Sequence, residues 1–161
     1  MLNGDGLRVV LWVAGCNHCC RDCQNPITWD PNGGLAFTEA EEAEIFTELD
    51  KDYISGITFS GGDPLHPSNI SAVTAFAKKI RERYPDKTIW LYTGSTWEEI
   101  QNEAVVQYLD VSFLQMIFHS FQCVFCYKSS KYNNWIKRFF STAHRPFCIL
   151  SNNTPAAFPH Y

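Results

Sequence analysis

The chain has 161 residues, 45% of them hydrophobic and 19% charged, enough for one domain with a buried core and too apolar for a disordered chain. Its net charge of −4 gives no electrostatic reason to expect nucleic acid or a membrane surface as partner. No run approaches the roughly 20 apolar residues of a membrane-spanning helix.

In chain order, Leu7–Ala14 (LRVVLWVA) is apolar and β-branched over a strand's length, which suits a strand buried on both faces. A cysteine-bearing loop follows, then the turn cluster Pro31-Asn32-Gly33-Gly34. Thr38 with Glu41 makes a capping box that opens a helix, with Ala43, Phe46 and Leu49 on its inner face. Gly56–Ser60 reads as a second strand, broken by Gly61-Gly62. Ile70, Val73, Ala77, Ile80 and Tyr84 recur at helical spacing across Ser68–Tyr84. Pro85 and Asp86 end that helix, and Thr88–Tyr92 is a third strand. Ser95 with Glu98 forms another capping box, opening a helix toward Val106, and Tyr108–Val111 starts a fourth strand. Strands alternating with helices imply parallel βα units whose right-handed crossovers gather the loops after the strands on one rim. Gly15–Cys23, Gly61–Pro64 and Thr93–Gly94 should therefore face one site, at the carboxyl ends of the strands.

The last third reads differently. Residues 1–110 hold all 17 acidic residues and 8 basic ones, whereas residues 111–161 hold 5 basic residues, no acidic one, and a crowd of aromatics. A basic, aromatic surface can bind single strands of nucleic acid. The reading preferred here is a tail not shaped with the rest, as a shifted reading frame or disorder would leave, because the change is abrupt and lacks periodicity. The division is thus a core of residues 1–110 and an atypical tail of residues 111–161.

Seven cysteines is an odd count, and four of them crowd into residues 16–23. Crowding of this kind suits a metal in a reducing cytoplasm better than disulfide staples. Cys16, Cys20 and Cys23 have the spacing C-x3-C-x2-C. Three thiolates can bind three irons of a cubane cluster and leave the fourth iron open. Cys19 is read as a bystander, since it adjoins Cys20. A zinc module built from Cys20, Cys23, Cys123 and Cys126 is the alternative on spacing alone. Val13-Ala14-Gly15-Cys16 also has the form of a lipoprotein cleavage site, but the apolar run before it is too short and its start is not basic.

Gly15-Cys16-Asn17-His18-Cys19-Cys20-Arg21-Asp22-Cys23-Gln24-Asn25-Pro26 together with Ser60-Gly61-Gly62-Asp63-Pro64-Leu65 resembles the radical S-adenosylmethionine superfamily. Asn3-Gly4-Asp5-Gly6-Leu7-Arg8, Thr28-Trp29 and Tyr92-Thr93-Gly94 bring the resemblance closest to the activating-protein family of anaerobic ribonucleoside-triphosphate reductase, over about residues 3–111. The resemblance implies an α/β fold, a partial (β/α) barrel with an atypical C-terminal third. It implies a 4Fe–4S cluster on Cys16, Cys20 and Cys23 and S-adenosylmethionine as cofactor, bound near Asp22, Cys23, Gln24, Gly61, Gly62 and Asp63. Reductive cleavage of that cofactor would yield a 5′-deoxyadenosyl radical, which takes hydrogen from a glycine of the reductase. The reductase large subunit and reduced flavodoxin, or a similar electron donor, are the implied partners. Thr93 and Gly94 are weaker candidates for the same pocket, and His18 and His66 are read as supporting loop residues rather than ligands. Other glycyl-radical activases, such as pyruvate formate-lyase activase, and a deazapurine synthase share the cluster loop. The family's VDG-type turn and GS-x-NQ-like segment do not follow Val111, and Cys123, Cys126 and Cys148 have no counterpart in it.

Overall fold

Alternation and amphipathic spacing turn into a parallel sheet with helices packed on one side. The computed structural model describes residues 3–118, 121–128, 135–139 and 147–151, with side chains as far as Ser112. Strands β1 (Leu7–Val13), β2 (Ile54–Gly61), β3 (Thr88–Thr93) and β4 (Val111–Phe118) are parallel neighbours in chain order. Strand β5 (Phe121–Lys128) adds antiparallel to β4, and β6 (Trp135–Phe139) pairs with β7 (Phe147–Ser151) in a separate two-stranded sheet. The crossovers carry α1 (Glu39–Leu49), α2 (Ile70–Arg83) and the single turn α3 (Trp97–Ile100). Among the described residues, no helix is long and apolar enough to cross a membrane.

The core lies between the sheet and α1 and α2. Ile57 and Phe59 on β2, Ile89 and Leu91 on β3, and Leu49, Ala77 and Ile80 on the helices are fully buried. Each large apolar side chain buried in this way stabilises the fold by about 1.5–3 kcal/mol. Phe76 holds the layers together, with ring centroids 6.3 Å from Phe59, 5.6 Å from Phe46 and 5.3 Å from Phe37.

The opposite face of the sheet is polar at its amino end. Arg8 donates to Thr58 Oγ1 at 2.9 Å, Thr88 Oγ1 at 2.6 Å, the Ile57 carbonyl at 2.7 Å and the Thr88 carbonyl at 2.8 Å, and its guanidinium lies 4.7 Å from the Trp90 ring centroid. Burial lowers the Arg8 pKa to about 10, so it stays charged at neutral pH. The Asn3 carbonyl accepts from Thr58 Oγ1 at 2.6 Å. The glycine-rich segment before β1 therefore closes this end of the sheet.

The expected elements are present with shifted boundaries. The Thr38–Glu41 capping box forms as read. The inner face of α1 is Ile45, Phe46 and Leu49, while Ala43 is exposed. The second capping box is Thr96 with Glu99, not Ser95 with Glu98. Ser95 still belongs to the turn, because its N–H donates to Thr93 Oγ1 at 3.1 Å, so the helix starts one residue later. That helix ends at Ile100 and a 3-10 turn, Ala104–Tyr108, replaces its expected extension. Strand β4 begins only at Val111, because Asp110 is held back by bonds to the Ile89 backbone and by an ion pair with Arg81. Beyond Ser112 the side chains of the tail, including those of Cys123, Cys126 and Cys148, lie outside what the structure describes.

Candidate functional site

The strand register brings three loops to one rim. Val13 lies opposite Gly61, and Phe59 opposite Leu91, so β1, β2 and β3 finish at the same level. The chain leaves β1 through buried Gly15 and returns through the 3-10 turn Pro26–Thr28. Backbone bonds from Gly15 N to Thr28 O (2.8 Å) and from Cys16 N to Trp29 O (3.1 Å) close the base of this excursion. Within it, Cys23 N donates to Cys20 O at 3.1 Å and Asn25 N to Cys23 Sγ at 3.4 Å, which fixes a tight turn around the last two cysteines.

Cys16, Cys20 and Cys23 are half-buried free thiols, whereas Cys19 is exposed, with a left-handed backbone (φ 45°). Burial pushes the Cys16 thiol up, a backbone bond at His18 opposes this, and Asp63, Cys23 and Cys19 push further up. Burial likewise raises Cys20, reinforced by Cys16 and Cys23. Thiols that oppose one another's ionisation need a compensating cation to become ligands together, which iron would supply. Among the described residues no three Cys, His, Asp or Glu side chains form a group able to hold one metal ion. A cubane makes a looser demand, because each thiolate takes its own iron. The donor set fits such a cluster.

The turn after β2 packs directly under this loop. Gly62 N donates to Val13 O and Asp63 N to Gly15 O, both at 2.7 Å. Gly61 has φ +103°, and a Cβ on Gly62 would sit 2.6 Å from Gly15 O and 2.8 Å from Thr28 O, so glycine is required by the protein's own backbone. Asn69, the residue before α2, donates to Ala14 O at 2.8 Å and to Asp63 O at 3.0 Å instead of capping its helix.

Asp63 is 3% exposed. Its Oδ1 accepts from Leu65 N at 2.8 Å and Thr93 Oγ1 at 2.9 Å, and its Oδ2 from Thr93 Oγ1 at 3.0 Å and Gly94 N at 3.4 Å. His18 Nε2 completes the set with a short bond to Oδ2. His66 bonds Ser68 Oγ at 2.6 Å and Asn17 Oδ1 at 3.1 Å. The structure thus brings Cys16, Cys20, Cys23, Gly61, Gly62, Asp63, Thr93 and Gly94 to one rim, and leaves Asp22 and Gln24 exposed on the loop. Sequence reasoning missed Asn69 and the backbone of Thr28 and Trp29. No spacing rule marks a carbonyl as an acceptor, and nothing local to Asn69 signals its reach to the Ala14 carbonyl.

A model of the family described as a 4Fe–4S single cluster domain matches residues 2–120. The chain is 42% identical over 110 residues to the anaerobic ribonucleoside-triphosphate reductase-activating protein of Enterobacteria phage T4, covering 68% of this chain and 70% of that one. It is 42% identical over 113 residues to the protein of the same name from Escherichia coli K12 (69% and 73% covered), and 39% over 117 residues to that from Pasteurella multocida (69% and 74%). No solved structure matches the chain significantly.

Proposed function

The chain belongs to the family of anaerobic ribonucleoside-triphosphate reductase-activating proteins, and from that premise we propose that it is a radical S-adenosylmethionine activase that places a glycyl radical on such a reductase. When bound, a 4Fe–4S cluster with one open iron supplies the electron and the chelation point for reductive cleavage of the S-adenosylmethionine carbon–sulfur bond. Cys16, Cys20 and Cys23 would hold three irons through their thiolates. The turn Gly61–Asp63 would back the methionine end of the cofactor, and the backbone around Asp22, Cys23 and Gln24 would lie along its adenosine. The reductase large subunit supplies the glycine, and reduced flavodoxin or a similar carrier supplies the electron. Free, crowded thiols suit a reducing cytoplasm.

The observation that carries this reading is the convergence of the cysteine loop, the Gly61–Asp63 turn and the Thr93–Gly94 turn at the carboxyl rim of four parallel strands. Four strands in chain order with helices on one face also support the partial (β/α) barrel, whose inner wall would be the face carrying Arg8 and Trp90. On this reading residues 1–110 carry the radical chemistry, and residues 111–161 form an atypical segment whose first strand, Val111–Phe118, joins the parallel sheet.

Anaerobic purification with iron, sulfide and zinc analysis tests the proposal. About four irons and four sulfides per chain, lost when Cys16, Cys20 and Cys23 are all changed to Ala, is the expected result. Cleavage of S-adenosylmethionine and a glycyl-radical signal on the added reductase should then follow. Zinc without sulfide would overturn the reading.

A further inference from the structure

Asp63 has no spare capacity for a ligand. An ionised carboxylate offers about four acceptor sites, and here Leu65 N, Thr93 Oγ1, Gly94 N and His18 Nε2 take them. The donors come from three loops: His18 lies between the first two cysteines of the cluster loop, Leu65 follows the glycine turn, and Thr93 and Gly94 end β3. His18 is seated from a second side as well, because its imidazole occupies the space a Cβ on Gly94 would need. One buried carboxylate therefore fixes the cluster loop against two other strand ends.

We propose that Asp63, His18 and Thr93 form a positioning clamp that sets the cluster loop relative to the cofactor turn, with Asp63 acting through His18 and Thr93 rather than by gripping the cofactor's amino group. This inference rests on the radical S-adenosylmethionine reading and deepens it. The thiolates alone assemble the cluster, while the clamp governs how a cofactor bound on the glycine turn meets the open iron. Gly94 belongs to the same device, because the three atoms a Cβ there would meet first all belong to the His18 ring.

The test compares the full-length reconstituted chain with Thr93→Val, Thr93→Ser, His18→Phe, Gly94→Ala and the His18→Phe/Thr93→Val double variant. Iron, sulfide and thermal melting are measured for each, with the S-adenosylmethionine dissociation constant and the change in the reduced cluster's electron paramagnetic resonance spectrum when that cofactor is added. The expected result is full cluster content throughout and an affinity about tenfold weaker in Thr93→Val, His18→Phe and Gly94→Ala, the effect of one lost charge-assisted hydrogen bond. The cofactor-induced spectral change should shrink in the same variants. Thr93→Ser should stay within about twofold of the parent, and the double variant should be no worse than the worse single, since both remove one device. Unaltered affinity and spectral response in Thr93→Val and His18→Phe would overturn the clamp. Loss of iron and of cooperative melting in Thr93→Ser as well as Thr93→Val would reduce it to a folding role and also overturn it. Failure of the parent chain to take up iron and sulfide would refute the functional reading itself, which separates the two failures.

Discussion

Gly62→Ala perturbs the site at its tightest backbone crossing. The new Cβ would lie 2.6 Å from Gly15 O, 2.8 Å from Thr28 O and 3.0 Å from Gly15 C. None of these atoms is the free end of a side chain. Gly15 O is held by Asp63 N at 2.7 Å, and Thr28 O by Gly15 N at 2.8 Å, so relieving the overlap must stretch the bonds that close the cluster loop. Overpacking of this kind costs about 1–3 kcal/mol. For a chain of this length about 2 kcal/mol lowers Tm by roughly 4–8 °C. Gly33→Ala is the matched control, because its Cβ would come no closer than 3.2 Å to Asp30 O on an exposed turn. It should change stability by no more than about 0.5 kcal/mol. Anaerobic thermal melts followed by circular dichroism, with iron analysis of each preparation, provide the measurement. A Gly62→Ala chain that melts with the parent and binds as much iron would refute the claim that this glycine is fixed by backbone packing.

Three further outcomes follow from the same geometry. Cys19→Ala should keep the iron and sulfide content of the parent, whereas Cys16→Ala, Cys20→Ala and Cys23→Ala should each lose most of it, as read by absorbance and metal analysis. Arg8→Met should lower stability in urea titrations by about 2–4 kcal/mol, because it removes five donations and strands acceptors on Thr58, Thr88 and Ile57. Bonds from the Thr38 hydroxyl and backbone hold the Glu41 carboxyl below its ordinary value of 4.5. Its stabilisation is therefore complete above the unfolded value and is lost as pH falls through the lower folded one. Acid titration of Glu41→Gln against the parent should show a shallower loss of stability below about pH 4.5, and identical curves would sink the capping argument.

Much of the framework was legible because period and punctuation act locally. Thr88–Thr93 alternates inward and outward residues, Val73, Ala77 and Ile80 mark one helix face, and Thr38 with Glu41 caps a helix by rules confined to four residues. The slip from Thr96–Glu99 to Ser95–Glu98 arose where two overlapping candidates fit the same rule. A contact to Thr93, invisible in the local pattern, decided between them. The position of the cysteine loop could be read from the handedness of parallel crossovers. The contacts of Arg8, Asn69 and Asp63 could not, since each reaches partners 30 to 80 residues away in the chain.

Two buried carboxylates at opposite ends of β3 show how the chain divides architecture from chemistry. Asp110 is 6% exposed and accepts from Ile89 N at 2.8 Å near the start of the strand, with the permanent charge of Arg81 paired to it. Asp63 is 3% exposed at the end of the strand and is held by a hydroxyl, backbone N–H groups and a histidine, with no arginine or lysine paired to it among the described residues. Burying a carboxylate is costly unless it is paired and hydrogen-bonded. At the amino end an arginine neutralises that charge and the result is a fixed joint. At the carboxyl end a hydroxyl, backbone N–H groups and a histidine hold the carboxylate beside three thiols, so this joint exists only where the cluster loop, the turn after β2 and the end of β3 meet to supply its donors.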